Sequence, residues 1–345
     1  MMRWRNLKSS VPILAVVGAG SWGTAIALHL AKKGYEIRLW GHSPEHVISL
    51  KKDRENQKYL PGFTFPDAII PTADIGAAVD GANCICMVVP SHGFRDVFRQ
   101  VVANMRSSCS VVSASKGVEN SSLMTMTQVM SDVAVEAHQE SKIQAAVLSG
   151  PSFAKEVALE VPTAVTIGST SAATAGWLQQ VFNSSYLRVY TSTDILGLEI
   201  SASLKNIIAI AAGICDGLQF GTNARAALIT RGLAEMTRLG CTLGAEKATF
   251  YGLSGLGDLV LTCTGDLSRN RSVGIKLGEG KKLSEILKEM SMVAEGVRTT
   301  QSVYGLARKI GIEMPILEQV YDILYNDKDC RTAVSDLLSR EPKEE

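Results

Sequence analysis

The chain has 345 residues, 46% hydrophobic and 20% charged, enough for two domains that each bury a core. Its 35 Lys and Arg nearly balance 34 Asp and Glu, for a formal net charge of +1, so no overall field draws it to nucleic acid or an anionic membrane. An anionic ligand therefore needs a local site, and no run approaches the roughly 20 apolar residues expected of a membrane span.

The basic start MMRWRNLK before VPILAVV has the outline of a signal peptide. The apolar run is short and passes straight into a glycine motif on which the fold depends, so a cytoplasmic location is expected. Seven cysteines, Cys84, Cys86, Cys109, Cys215, Cys241, Cys263 and Cys330, form no C-x-x-C pair and read as reduced, mostly buried thiols. Cys84 and Cys86 share one face of a strand, but neither His nor a second Cys pair stands at zinc spacing, so no metal is expected.

In chain order, the first element is the run ILAVV, followed by Gly18, Gly20 and Gly23 as G-x-G-x-x-G and then a helical stretch. Strand before and helix after is the context of a dinucleotide site. Gly18 permits the turn, Gly20 lets a pyrophosphate approach the backbone, and Gly23 lets helix and strand pack closely. Free N–H groups at the helix start favour the anion, and Ser21 and Trp22 stand where they would touch the cofactor. The second run, EIRLW, ends in Gly41, His42 and Ser43, where an NAD-selective site carries Asp or Glu. NADP(H) is therefore admitted beside NAD(H), with His42 either a contact or an ordinary loop residue.

ICMVV leads into VPSHGFRD, where His92 reads as a wall residue, and SVVSAS leads into Lys116 at the carboxyl edge of the sheet. His138 lies in a polar helix surface and has no role. AAVLSG ends on the same edge with Gly150, Pro151, Ser152 and Phe153. TAVTIG and LRVYTS follow close together, so the far edge is expected to turn antiparallel. Strands alternating with helices predict right-handed crossovers and an α/β, doubly wound, Rossmann-like sheet.

After about Thr193 the pattern becomes helical with glycine-marked turns, which predicts an all-α second domain. The expected division is residues 1–193 for the dinucleotide and 194–345 for the substrate. In EISASLKNIIAIAAGI, Leu198, Ser201, Lys205, Ile208 and Ala212 share a helix face. Lys205 either snorkels to solvent or sits in a partly dry pocket, where its lowered pKa would suit proton transfer. Farther on, Gly252, Gly255 and Gly257 precede Asp258, and SRNR supplies Ser268, Arg269, Asn270 and Arg271. That cluster suits phosphate oxygens, or is a solvated charged turn.

As an ordered set, GAGSWGTAIA, SKG, LSGPSFAKEV, SLKNIIAIAAGI, GLSGLGDLVLTCTGDLSRNRSVG and AEGVRTT resemble the NAD(P)-dependent glycerol-3-phosphate dehydrogenase family of the bacterial type. The resemblance implies reversible reduction of dihydroxyacetone phosphate to sn-glycerol 3-phosphate for phospholipid synthesis. It implies Lys205 as general acid or base, and cofactor contacts from Ser21, Trp22, His42, Lys116, Ala154, Arg269, Val293 and Glu295. The implied substrate contacts are Lys116, Gly150, Ser152, Lys205, Asp258, Ser268, Arg269 and Asn270. Asp258 is expected to orient the Lys205 ammonium and Lys116 to fix the ketone. A homodimer is expected because helical second domains of this kind often pair. Two other readings stay open: a keto-acid or β-hydroxy-acid dehydrogenase, and a non-catalytic NADP-binding regulator.

Overall fold

Short β-branched runs and amphipathic helices alternate through the first half, and the computed structural model, which describes residues 12–290, 294–342 and 344, winds them into one sheet. The elements are β1 (Ile13–Val17), α1 (Ser21–Lys32), β2 (Glu36–Trp40), α2 (Pro44–Asp53), β3 (Glu55–Asn56), β4 (Leu60–Thr64) and β5 (Ile69–Thr72). Then come α3 (Ile75–Val79), β6 (Cys84–Met87), α4 (Phe94–Asn104), β7 (Cys109–Ser113), α5 (Met126–Glu136) and β8 (Ile143–Ser149). α6 (Ala154–Ala158), β9 (Thr163–Gly168), α7 (Ala172–Phe182) and β10 (Leu187–Ser192) complete it. Helix starts follow local chemistry: Ser43, Asp74 and Ser171 each accept a hydrogen bond from the backbone N–H three residues on.

The sheet order is β10-β9-β8-β7-β6-β1-β2-β5, and the direction in which the chain builds outward reverses between β1 and β6. Ligands of such sheets bind at the carboxyl ends of the strands flanking that reversal. β1, β2, β5, β6, β7 and β8 are parallel, whereas β9 runs antiparallel to β8. The expected antiparallel edge is present, but β9 and β10 are parallel to each other, with α7 crossing between them, so both reverse together. β10 is a sheet edge, and α7 covers part of it: Gln179 donates to the Val189 carbonyl, and Asn183 accepts from the Val189 N–H. The sequence reading had no place for β3, β4 and β5, because IIPT and LPGFT carry Pro or Gly inside short runs. His138 stands with positive φ in an exposed turn after α5, not on the helix surface expected of it.

From residue 195 onward the described residues are helical: α8 (Ile195–Gly217), α9 (Gly221–Thr242), α10 (Lys247–Phe250), a π-helical turn (Leu253–Gly257) and α11 (Asp258–Thr264), then α12 (Arg269–Gly278), α13 (Leu283–Glu289), α14 (Glu295–Ile310), α15 (Pro315–Tyr325) and α16 (Cys330–Leu338). Residues Gly197 to Cys215 of α8 are buried on every face, as befits a helix that is apolar all round. This corrects one expectation from the sequence. Ile195–Gly217 is long and apolar enough to cross a membrane, but 89% of its most apolar window is buried inside the protein, which makes it a core helix.

Two contacts set where α8 stands. The buried Glu199 carboxylate accepts from the Thr127 N–H (2.8 Å) and the Thr127 hydroxyl at the start of α5, tying α8 to the sheet half. Burial pushes the Glu199 carboxyl pKa up, and the donors from the start of α5 oppose that shift. On the other side α12 crosses so closely that a Cβ on Gly274 would lie 2.0 Å from the Ile210 carbonyl oxygen, and one on Gly213 would lie 2.0 Å from that of Arg271. This backbone approach brings Ser268, Arg269 and Asn270 beside the middle of α8. Gly274→Ala is therefore expected to lower stability by about 2 kcal/mol or more, read from urea unfolding midpoints.

Candidate active site

Gly18 follows β1 with φ +128°, and a Cβ there would lie 2.3 Å from the Val88 carbonyl oxygen beyond β6. Only glycine lets these two strand ends approach at the point of reversal. A Cβ on Gly23 would meet the Gly18 carbonyl oxygen at 1.8 Å, so α1 packs directly on the turn. A Cβ on Gly20, in contrast, would have nothing within 4 Å. That open cradle lies at the N-cap of α1, with Ser21 and Trp22 in the first turn, and it suits a pyrophosphate held by backbone N–H groups. His42 is exposed beyond β2, its ring edge-on to Trp40 with centroids 6.0 Å apart.

The two halves meet on one carboxylate. Asp258, with only 1% of its side chain exposed, bonds Lys116 Nζ through Oδ2 at 2.9 Å and pairs with Lys205 Nζ through Oδ1. Lys116 comes from the loop after β7, Lys205 from the middle of α8, and Asp258 from the first residue of α11. Lys205 is 6% exposed and Lys116 21%, so Lys205 is the inner ammonium and Lys116 the one nearer solvent. Lys205 also donates to Thr262 Oγ1 (3.0 Å), whose own proton goes to the Asp258 carbonyl (2.6 Å).

Burial lowers the Lys205 pKa to about 7, with Asp258 opposing the shift and Lys116 adding to it. The Asp258 carboxyl is also desolvated, yet the two ammoniums hold it below its ordinary value. The cluster therefore carries one positive charge in excess when Lys205 is protonated and is neutral when it is not, and it holds a lysine able to give or take a proton near pH 7.

The loop Gly150 to Phe153 ends β8 beside α11: Pro151 packs against Gly257, and Phe153 fills the space a Cβ on Gly265 would need. Ser152 donates to the Gly150 carbonyl (3.0 Å), and Ala154 opens α6. On the far wall, Ser268 caps α12 by accepting from the Arg271 N–H, leaving its hydroxyl proton for another partner. Asn270 is buried, donating to Asn206 Oδ1 and accepting from the Gly296 N–H, both at 2.9 Å, so one of its amide protons remains. Arg269 faces Glu295, which accepts from the Ser91 hydroxyl (2.9 Å). His92, next to Ser91, feels the charge of Arg298. Val293 lies outside the described residues. Arg271 has a structural task, since it is ion-paired with Asp216 and Asp266.

The structure thus gathers Lys116, Lys205 and Asp258 into direct contact, sets the 150–153 loop against the glycines that flank α11 through Pro151 and Phe153, and puts Ser268 to Asn270 next to α8. His42 stands apart beside the glycine loop. Sequence reasoning passed over Thr262, Asn206 and Ser91. Thr262 lies four residues after Asp258, a spacing that puts both on one helix face. Asn206 adjoins Lys205 in sequence, but only the α12 crossing gives its side chain a partner. Removing the shared carboxylate leaves two ammoniums facing each other. Asp258→Ala is therefore expected to cost about 3–5 kcal/mol of stability below about pH 7, where Lys205 is protonated, with Lys205→Met restoring part of it. Asp258 raises the folded Lys205 pKa to about 7, so the Lys205 part of that cost is present at lower pH and fades as pH rises through about 7; denaturant titrations at several pH values measure it.

Comparison with known proteins matches both halves. Residues 13–175 fit the model described as NAD-dependent glycerol-3-phosphate dehydrogenase N-terminus, and residues 194–335 fit its C-terminus counterpart. An NAD(P)+ glycerol-3-phosphate dehydrogenase of Desulfotalea psychrophila is 57% identical over 98% of this chain and 100% of its own length. One from Citrifermentans bemidjiense is 52% identical over 96% and 98%. The crystal structure of glycerol-3-phosphate dehydrogenase from Coxiella burnetii superimposes with a TM-score of 0.91 at 41% identity, covering 96% of this chain and 99% of that one. The chain belongs to the NAD-dependent glycerol-3-phosphate dehydrogenase family.

Proposed function

We propose that this chain reduces dihydroxyacetone phosphate reversibly to sn-glycerol 3-phosphate with NADPH or NADH, as a step toward glycerophospholipids. The observation that carries this reading is the buried Lys205–Asp258–Lys116 contact at the carboxyl edge of a dinucleotide-type sheet. In this division of labour residues 1–193 take the cofactor and residues 194–345 supply most of the substrate wall.

The nicotinamide supplies the hydride when bound. As the C2 carbonyl oxygen gains negative charge, Lys205 Nζ stabilises it by hydrogen bonding and then delivers a proton to it. Asp258 keeps the Lys205 side chain in one orientation and, by its charge, holds the proton on it more firmly than burial alone would. Lys116, bonded to the other carboxylate oxygen, fixes the ketone from the cofactor side. Arg269, the free hydroxyl proton of Ser268 and the remaining amide proton of Asn270 hold the phosphate, so binding energy remote from C2 is spent on orientation. The local positive excess suits an anionic triose although the chain as a whole is near neutral.

Loss of reduced-nicotinamide absorbance on adding dihydroxyacetone phosphate, against ketopantoate as control, tests cofactor, substrate and reaction class together. Turnover is expected with the triose phosphate and with both NADPH and NADH; turnover of ketopantoate alone overturns the reading. Lys205→Ala is expected to lower kcat by about 10²-fold or more while leaving NADPH binding nearly intact. In the reducing direction Lys205 must carry its proton, so kcat/KM is expected to stay level below about pH 7 and fall above it. In the oxidising direction the neutral amine accepts the proton, so kcat/KM rises through the same range. A cytoplasmic setting, with no nucleic-acid or integral-membrane partner, and pairing of two copies through the helical half complete the proposal, and cell fractionation and sedimentation test them.

A further inference from the structure

Between β2 and β5 the chain makes a detour that the mechanism above does not use, and its centre is Asn56, with no exposed surface. The segment is firmly pinned. Arg54 donates to the carbonyls of Phe65, Pro66 and Ile69, and β3 pairs with β4. The Asn56 amide is fully engaged. Its Nδ2 donates to the Ala19 carbonyl oxygen (3.0 Å) and to Thr24 Oγ1 (2.7 Å). Its Oδ1 accepts from the Tyr59 N–H (3.2 Å) and His46 Nε2 (3.1 Å). The amide orientation follows from these partners, because a backbone carbonyl only accepts and a backbone N–H only donates.

Ala19 is the middle residue of Gly18-Ala19-Gly20, and its carbonyl belongs to the same peptide unit as the Gly20 N–H. No peptide bond among the described residues is cis, and in a planar trans unit C=O and N–H point in opposite directions. With the Ala19 oxygen drawn down onto a buried side chain, the Gly20 N–H is turned the opposite way, and a Cβ built on Gly20 would itself meet nothing within 4 Å. Thr24, bound by the same Nδ2, is one turn into α1 and is itself buried, so a single amide ties the loop peptide to the helix that follows it.

We propose that Asn56 is a positioning residue for the cofactor: it pre-sets the Ala19–Gly20 peptide so that its N–H faces the pyrophosphate before the cofactor arrives. The role rests on the reading that this loop binds a dinucleotide. It separates ground-state cofactor binding from chemistry, because Asn56 lies beneath the loop, remote in function from Lys205. An unanchored peptide would spend cofactor binding energy on its own ordering, and the loss appears as weaker affinity.

The test uses the full chain with Asn56→Leu, which removes every hydrogen bond of the amide, and His46→Phe, which removes one donor to Oδ1 and keeps the anchor. NADPH affinity is read by nicotinamide fluorescence, and inhibition by ADP-ribose reports the pyrophosphate without the nicotinamide. In Asn56→Leu both constants are expected to weaken by at least ~10-fold, with kcat at saturating NADPH within ~3-fold and the KM for dihydroxyacetone phosphate unchanged. In His46→Phe a smaller shift in the same direction, ~2–4-fold, is expected. A merely structural role would lower Tm and leave both affinities unchanged well below the transition. Affinities within ~2-fold of the wild-type chain, or loss of kcat with affinity retained, overturn the proposal. Should Asn56→Leu not fold, an unshifted His46→Phe overturns it by itself. Failure of the wild-type chain to bind NADPH at all counts instead against the dinucleotide reading.

Discussion

One carboxylate, held dry between two ammoniums, ties the sheet half to the helical half at the point where chemistry is proposed. Asp258 is the first residue of α11; one of its partners hangs from the sheet loop after β7 and the other rises from the middle of α8. Lys205 alone in that space would be driven toward its neutral form, and the carboxylate alone would be driven toward protonation. Together they stay charged enough to hold each other in place, and burial, with a smaller push from the second ammonium, keeps the inner lysine from becoming a permanently protonated spectator. The same contact that closes the two halves thus sets the acidity of the group between them.

The remaining architecture can be read as what that contact requires. α8 has to hold its position against both halves, which it does through Glu199 on the start of α5 and through the glycine-lined crossing with α12. The crossing also delivers Asn270 to Asn206 and sets Ser268 and Arg269 on the opposite wall. On the cofactor side, the glycine turn is held from above by the close approach of Val88 and from below by Asn56. Both supports act on backbone groups, which is why ordinary side chains in flanking segments matter to a loop whose own residues have almost none.

Much of this is legible in residue order. G-x-G-x-x-G between an apolar run and a helix identifies a turn that has few other uses, and the parallel sheet follows from strands alternating with helices. Lys205 is visible as a charge within an apolar helical run, although spacing alone leaves open whether it snorkels or is buried; only its enclosure by α11 decides for burial. The SRNR cluster shows the opposite limit. Four adjacent polar residues look like one anion site, yet Arg271 is ion-paired to Asp216 and Asp266, and Ser268 and Asn270 each spend part of their bonding on the fold and keep one proton to donate. Asn56 gives no local sign of its importance, and Glu199 shows only as another charge in the same apolar run, because their partners lie 37 and 72 residues away along the chain.

By itself the sequence determines what depends on neighbours along the chain: strand and helix periodicity, the turn that needs glycine, and the change to all-helical grammar after the sheet. Tertiary structure alone decides which polar groups lose their water and whom they meet once they have lost it. The reversal of β9 and β10, the enclosure of Lys205 and the grip of Asn56 on Ala19 all belong to that second kind. Their physical reason is common to all three: desolvation and hydrogen bonding across distant segments have energies that arise only when the segments are brought together.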